Sequence, residues 1–422
     1  MAESVFARST RARNERSSTP VRVLSRVRRV AVIAAVVALA VSIGAYVNAM
    51  SGPSNTALGV RSVEWLRDNG AAAVVAQVEN WYYTLTAPSK GGATLKALPK
   101  VGDVAAAPAT TPPTATSPAT GRHPRTGSRV VAGRNPRPTY ARPQAVAPML
   151  HPALPGEGVW EPTRAGLGKA PPLMVTTLRD EPDYPRVIVG LAWIDPHRTR
   201  ISLIAGRLEP SVPLPTRGPM EVPPASRGRL LATFNSGFKL IEAGGSLGNG
   251  GYTLNGHTYS PMQSGLATFI GDKDGRVNVL AWTHGPVAPS SILYARQNLP
   301  LIVDRGRVNP AIANGSLWGA TVNNAILVWR SGIGIDRHGN LIYAAGNDQT
   351  AQSLAQALIR AGAVRAMELD INSYWVSFIT YGGWGALDPA NLLLDMNRPA
   401  TRYLTPDDRD FFAVYLRTHP LP

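Results

Sequence analysis

The pattern of hydrophobic and polar positions changes three times along this chain, and each pattern predicts a different kind of element. Residues 30–47 (VAVIAAVVALAVSIGAYV) carry no charge, and extending the run to Met50 gives about the 20 apolar residues that a helix needs to cross a ~30 Å hydrocarbon core. Residues 61–83 mix apolar and charged positions and predict a juxtamembrane helical segment within 51–86, with Gly70 as its break. Residues 87–171 turn to Pro, Ala, Thr and Arg, with too few large apolar side chains to offset the entropy of ordering, and predict a disordered linker.

From residue 172 the pattern becomes short apolar runs joined by turn residues, which predicts antiparallel hairpins. Five turns are expected: at Asp195-Pro196-His197, Asn255-Gly256, Asp274-Gly275, Asp304-Arg305-Gly306 and His338-Gly339-Asn340. One helix stands out within this part. Residues 350–361 repeat apolar side chains at Leu354, Ala357, Leu358 and Ala361 and stop at Gly362. The strand after it, 363–372, alternates Met367, Leu369 and Ile371 with Glu368, Asp370 and Asn372, so the second set is expected on a displayed face. The fold class that follows is α+β: a mixed, mainly antiparallel, hairpin-rich sheet with few helices in 172–422, preceded by one transmembrane helix and a disordered linker.

Charge fixes the orientation of this arrangement. The formal net charge is +16, but residues 1–171 hold 21 Lys and Arg against 8 Asp and Glu, whereas residues 172–422 hold 22 against 19. A nearly neutral domain does not present a nucleic-acid footprint, so no nucleic-acid partner is expected. Eight arginines between Arg8 and Arg29 face only Glu3 and Glu15, which keeps the basic tail 1–29 cytoplasmic and places everything after residue 50 outside. The 29 residues before the apolar run favour an uncleaved anchor over a cleaved signal peptide. The chain has no cysteine, which excludes disulfides, Cys-ligated zinc and thiol nucleophiles. The seven histidines show no metal-ligand spacing, no Gly-rich phosphate loop precedes a helix, and no serine elbow occurs, so neither a metal nor a cofactor is expected.

Several blocks resemble the phosphodiester glycosidase family, which includes an α-N-acetylglucosaminidase acting on a phosphodiester-linked sugar. Residues 234–238 (FNSGF) are similar to its Asn-Gly-Gly-Phe-Phe block, 301–306 (LIVDRG) to its apolar strand ending in Asp-Gly, 330–334 (RSGIG) to its Arg-Thr-Ala-hydrophobic-Gly, and 366–370 (AMELD) to its Ala-hydrophobic-Asn-Leu-Asp. The longer pattern, with RQNLPLIVD and RYLTPDDRDFF, looks like an envelope-anchored bacterial branch. The resemblance implies a membrane-anchored, extracytoplasmic hydrolase acting on sugar-phosphate diester linkages of an envelope polymer. Where the family follows Leu-Asp with glycines and a serine, this chain has Ile371, Asn372, Ser373 and Tyr374. The alternative expectation is therefore a non-catalytic protein that binds the same carbohydrate polymer on the same fold.

Cleaving a glycosyl phosphodiester requires donors for the phosphate and a carboxylate for protons or developing oxocarbenium charge. Asp370 and Glu368, two apart on a strand and thus about 6.6 Å from each other, are the expected catalytic pair, although either carboxylate also suits a plain ion pair with Arg365 or Arg330. Arg330 and Lys239 are the expected phosphate ligands. Asn235 is expected to orient a sugar hydroxyl, or else to cap its turn, and Trp375 to stack on a sugar ring. Asn372 and Asp304 complete the expected substrate-binding set, Asp304 having the competing role of an ordinary turn aspartate.

Overall fold

A computed structural model describes residues 19–92, 94–99, 142–168, 170–313, 315–319 and 327–421. The core of the predicted linker, 100–141, and the tail 1–18 lie outside these residues. Helix α1 (Thr19–Met50) includes the uncharged run 30–50, 21 residues and about 32 Å at 1.5 Å per residue, which is long and apolar enough to cross a membrane. Helices α2 (Leu58–Leu66) and α3 (Ala72–Thr86) are joined by a π-helical turn at Arg67–Ala71. The break falls on Gly70, at φ 94°, a conformation a glycine adopts without steric cost.

Eighteen strands occur among the described residues. They are β1 (Glu161–Pro162), β2 (Leu173–Arg179), β3 (Ile188–Ile194), β4 (Thr199–Ile204), β5 (Leu230–Asn235) and β6 (Tyr252–Leu254). Next come β7 (His257–Ser260), β8 (Ala267–Asp272), β9 (Val277–Ala281), β10 (Ile292–Asn298), β11 (Val303–Asp304) and β12 (Arg307–Val308). The last are β13 (Val328–Asp336), β14 (Leu341–Gln349), β15 (Ala363–Glu368), β16 (Phe378–Tyr381), β17 (Pro389–Asn391) and β18 (Phe411–Leu416). Helix α4 (Ala351–Arg360) lies between β14 and β15, and Thr350 caps it through a reciprocal bond with Ser353.

The strands form three antiparallel sheets. The first has eight strands in the order β1-β2-β3-β14-β13-β15-β11-β12, the second runs β7-β6-β10-β8-β9, and the third β17-β16-β5-β18-β4. β14 and β15 run in the same direction on either side of β13, with α4 as the crossover between them. The central strands of the first sheet, β2, β3, β14, β13 and β15, are buried on both faces, while the edges at β1 and β11–β12 are partly exposed. Leu173, Ile194, Ile333, Tyr343 and Met367 face a core shared with Phe234 and Phe412 of the third sheet and Phe269 of the second. Met174, Leu191, Ile342 and Ala366 face Leu354 and Leu358 of α4. Two-sided burial explains why its strands read as nearly continuous apolar runs.

Four of the five expected turns join paired strands: β6–β7, β8–β9, β11–β12 and β13–β14. The fifth does not. At Asp195-Pro196-His197 the chain leaves the first sheet with β3 and enters the third with β4, so this tight turn is a corner between sheets. The four hairpin turns each carry a glycine at positive φ (Gly256, Gly275, Gly306 and Gly339), which residues 195–197 lack. Residues 142–168, read from composition as linker, pack into the domain. Trp160 and Val146 join the α4-side core, and Glu157 forms a buried ion pair with Arg179 at 2.8 Å. Scattered single aromatic and acidic anchors carried that packing, and composition averages them away.

Candidate functional site

The ends of β5, β13 and β15 and the segment leading into β18 converge on one buried polar cluster. β5 pairs with β18 so that Asn235 faces Phe411, and the Asp370 amide donates to the Ser236 carbonyl at 3.1 Å. Beyond β15, the Leu369 amide donates to the Ser331 carbonyl of β13 at 2.8 Å. Three strand ends and one loop are thereby tied together by backbone bonds.

Asp370 is at the centre. One oxygen accepts from Arg409 Nη2 at 2.6 Å and the other from the Asn372 amide at 3.0 Å, leaving the carboxyl 5% exposed. Arg409 also donates to the Gly237 carbonyl at 3.1 Å, in the turn that carries Lys239. Behind it, Asp407 accepts two bonds from Arg402, at 2.8 and 3.0 Å, and pairs with Arg398 at 3.4 Å. Burial alone pushes the Asp407 carboxyl up, but the Arg402 and Arg398 guanidiniums outweigh it and hold the group below the usual carboxylate range. Ser54 and Asn55, far away in sequence, reach the same place: Ser54 Oγ donates to Asp408 at 2.9 Å, and Asn55 bonds to Arg398 and to the Arg402 carbonyl.

Glu368 belongs to a second arm of the cluster. It pairs with Gly332 across β15 and β13, on the α4 face of the first sheet, together with Arg330. Gly332 is required there, because a Cβ would sit 2.9 Å from the Met367 carbonyl and 3.1 Å from Leu358. Arg330 Nη1 donates to Glu368 Oε1 at 2.6 Å, while Oε2 is buried without a partner. Burial pushes the Glu368 carboxyl up to about 7, against the lowering effect of Arg330 and with a further push from Asp370. The displayed polar face expected for this strand is thus a buried one, since Glu368 and Asp370 are both covered. Sheet one is packed on both sides, and strand alternation cannot reveal that.

The remaining expected residues divide clearly. Arg330 points inward, donating also to the Gln349 and Trp318 carbonyls, and is 3% exposed. The Asn235 amide makes four bonds: it donates to Ser236 O and Ser331 Oγ and accepts from Tyr343 Oη and the Ser377 amide. Its capacity is filled, so it ties the first sheet to the third. Trp375 is buried among Arg398, Arg402 and Arg409, whose guanidinium carbons stand 5.3 to 5.6 Å from its ring centre. Asn372 accepts from the Tyr374 amide at 2.9 Å and shapes the turn beside Asp370. Lys239 is 9% exposed in the turn after β5. Asp304 is elsewhere: Val303 pairs with Ala366, which sends Asp304 away from Glu368 into an exposed hairpin tip.

Arg398, Arg402, Asp407, Arg409, Ser331 and Tyr343 were not singled out from the sequence. The run of alternating charges in RYLTPDDRDFF, placed just before a fully apolar strand, was the available signal. Chemically, the cluster offers one nearly covered carboxylate held by an arginine, a second carboxyl that burial pushes up to about 7, and an excess of guanidinium charge around them. Among the described residues no group of three His, Asp or Glu side chains is arranged to hold a metal ion.

No protein-family model matches the chain, and no curated protein matches it in sequence. Among solved structures it is similar to the catalytic domain of zebrafish N-acetylglucosamine-1-phosphodiester α-N-acetylglucosaminidase auto-inhibited by its pro-peptide, at 15% identity and a TM-score of 0.38, over 59% of this chain and 85% of that one. A hypothetical protein from Synechocystis gives 15% identity and 0.35, over 58% of this chain and 62% of its own. A protein from Burkholderia pseudomallei described as exported gives 12% and 0.29, over 56% of this chain and 75% of its own.

Proposed function

We propose that this chain is a membrane-anchored, extracytoplasmic phosphodiester glycosidase that cleaves sugar-phosphate diester linkages of an envelope glycopolymer. The observation that carries this reading is the Asp370–Arg409 pair, a carboxylate and a guanidinium 2.6 Å apart at the meeting point of three strand ends. As the bond between the sugar carbon and the phosphate oxygen breaks, the phosphate monoester leaves as an anion that needs charge neutralisation more than a proton, and water adds to the sugar carbon with its proton passing to solvent. Arg409 and Lys239 supply cations for that phosphate, and Asp370 faces the positive charge that develops on the sugar. Glu368 and Arg330, paired at 2.6 Å, form the floor that sets the position of β15 beneath Asp370. Helix α1 is the anchor in this reading, oriented by the arginines before it.

A second reading, a polymer-binding protein without turnover, is favoured by one feature. Both Asp370 oxygens are occupied, and the β-branched Ile371 beside it packs against Gly319, where a Cβ would lie 2.4 Å from Ile371 Cδ1. The test is release of phosphate monoester from a panel of synthetic glycosyl phosphodiesters by the full chain in non-ionic micelles. Turnover that Asp370→Asn abolishes and Asp304→Ala leaves intact supports the hydrolase. No turnover with any sugar, together with retention on envelope polymer, supports the binding protein.

A further inference from the structure

The third sheet ends in a basic cleft that lies apart from the candidate site. Its volume is about 430 Å³, and its lining includes Arg200, Arg229, Arg417 and His419 with the hydroxyls of Ser202, Ser226, Tyr415 and Thr418, but no carboxylate. The sheet register explains the convergence. Tyr415 of β18 stands opposite Arg200 of β4 and Leu230 of β5, so Arg200, Ser202, Tyr415 and the following Arg417 share one face. The intervening Ile201, Leu203 and Val414 take the other face and belong to the main core. At the opposite end of the same outer face, Phe411 and Ala413 are covered by Val222, Ala386 and Tyr403. The cleft is the uncovered remainder.

Its charges are poorly compensated. The Arg200 and Arg229 side chains are exposed and make no hydrogen bond or ion pair among the described residues. Arg417 donates to the Thr199 carbonyl at 2.8 Å and the Gly275 carbonyl at 2.7 Å, which fixes its guanidinium at the back of the cleft. Burial lowers the Arg417 pKa, and the neighbouring Arg200 lowers it further, with Asp272 opposing them. A cation pinned by carbonyls beside a second cation is stabilised by an anion placed between them.

We propose that this cleft is an anion subsite that takes a phosphate group between Arg200 and Arg229, with Arg417 behind it and the Tyr415 and Ser226 hydroxyls as further donors. The subsite is independent of the candidate hydrolytic site. Arg409 and Arg417 bracket β18, and eight residues at ~3.3 Å each put them about 26 Å apart. A phosphate here serves retention of a multiply charged partner and takes no part in bond cleavage.

The test is residue-resolved arginine modification by phenylglyoxal on the full chain in non-ionic micelles, read by mass spectrometry. The probes are pyrophosphate, a glycerol phosphate oligomer and dihexanoyl phosphatidylglycerol, each at ten times its half-protecting concentration. Arg200 and Arg229 are expected to be modified about tenfold more slowly, while Arg305 at an exposed hairpin tip keeps its rate. Arg229→Ala is expected to reduce the protection at Arg200, and Asp370→Asn to leave it unchanged. Protection by the oligomer assigns a soluble phosphate polymer, and protection by the lipid alone assigns a headgroup. Protection by none of the probes, or equal slowing at Arg305, overturns the subsite whether or not the chain hydrolyses diesters.

Discussion

Replacing Glu368 by Gln removes one titration from the core and changes how stability depends on pH. Glu368 is fully buried, and its carboxyl titrates near 7 in the fold against 4.5 for the free side chain. Between those values the folded chain holds a proton that the unfolded chain has lost, so stability is greatest below pH 4.5, falls as pH rises, and levels off above about 7. A shift of this size corresponds to about 3 kcal/mol at 1.36 kcal/mol per pH unit. Gln keeps an oxygen for the Arg330 bond and cannot ionise. The assay is urea unfolding of the full chain in micelles, followed by tryptophan fluorescence at pH 5 and pH 8. Part of that change already occurs below pH 5, so wild type is expected to lose about 2.5 kcal/mol more than Glu368→Gln between the two conditions. Asp180, which burial also pushes up to about 7, titrates in both proteins and cancels in the difference. Parallel pH profiles for the two proteins would refute the burial argument.

Asp407→Ala leaves Arg402 and Arg398 buried without their carboxylate, and the expected loss is 3–5 kcal/mol in the same unfolding assay, a range typical of broken buried pairs. Asp304→Ala, at an exposed hairpin tip, is expected to stay within about 0.5 kcal/mol of wild type, which calibrates the measurement. A chain starting at residue 172 is expected to lose its cooperative unfolding transition, whereas one starting at 142 keeps it. The difference comes from Trp160 and from Arg179, which is left without Glu157 when 142–171 are removed.

The hairpins were legible because Asn255-Gly256 and Asp274-Gly275 supply the backbone conformation that tight turns need, and the helix because Thr350 and Gly362 bracket its apolar stripe. Element type is a local property, and these residues decide it locally. The corner at Asp195 was not legible, since nothing in DPH says whether the next strand returns to the same sheet. Burial of Glu368 was missed for a similar reason. A strand covered on both faces places charges inside wherever partners such as Arg330 come from another strand, and alternation alone assigns them to water. Asp370 is legible in the sequence from the polar face of 363–372 and from its match to the Asp that ends the resembled family's block. Arg409 was not, because its link to Asp370 spans 39 residues and exists only once β18 has paired with β5.

In the proposed reaction the Asp370–Arg409 centre breaks the bond between sugar and phosphate on the sugar side. Hydrolysis of a glycosyl phosphodiester in water labelled with heavy oxygen tests it most directly, with Asp370→Asn as the comparison. Label is expected in the sugar hydroxyl, with no turnover above background in the variant. Label in the released phosphate, or equal turnover by the variant, would contradict this reaction.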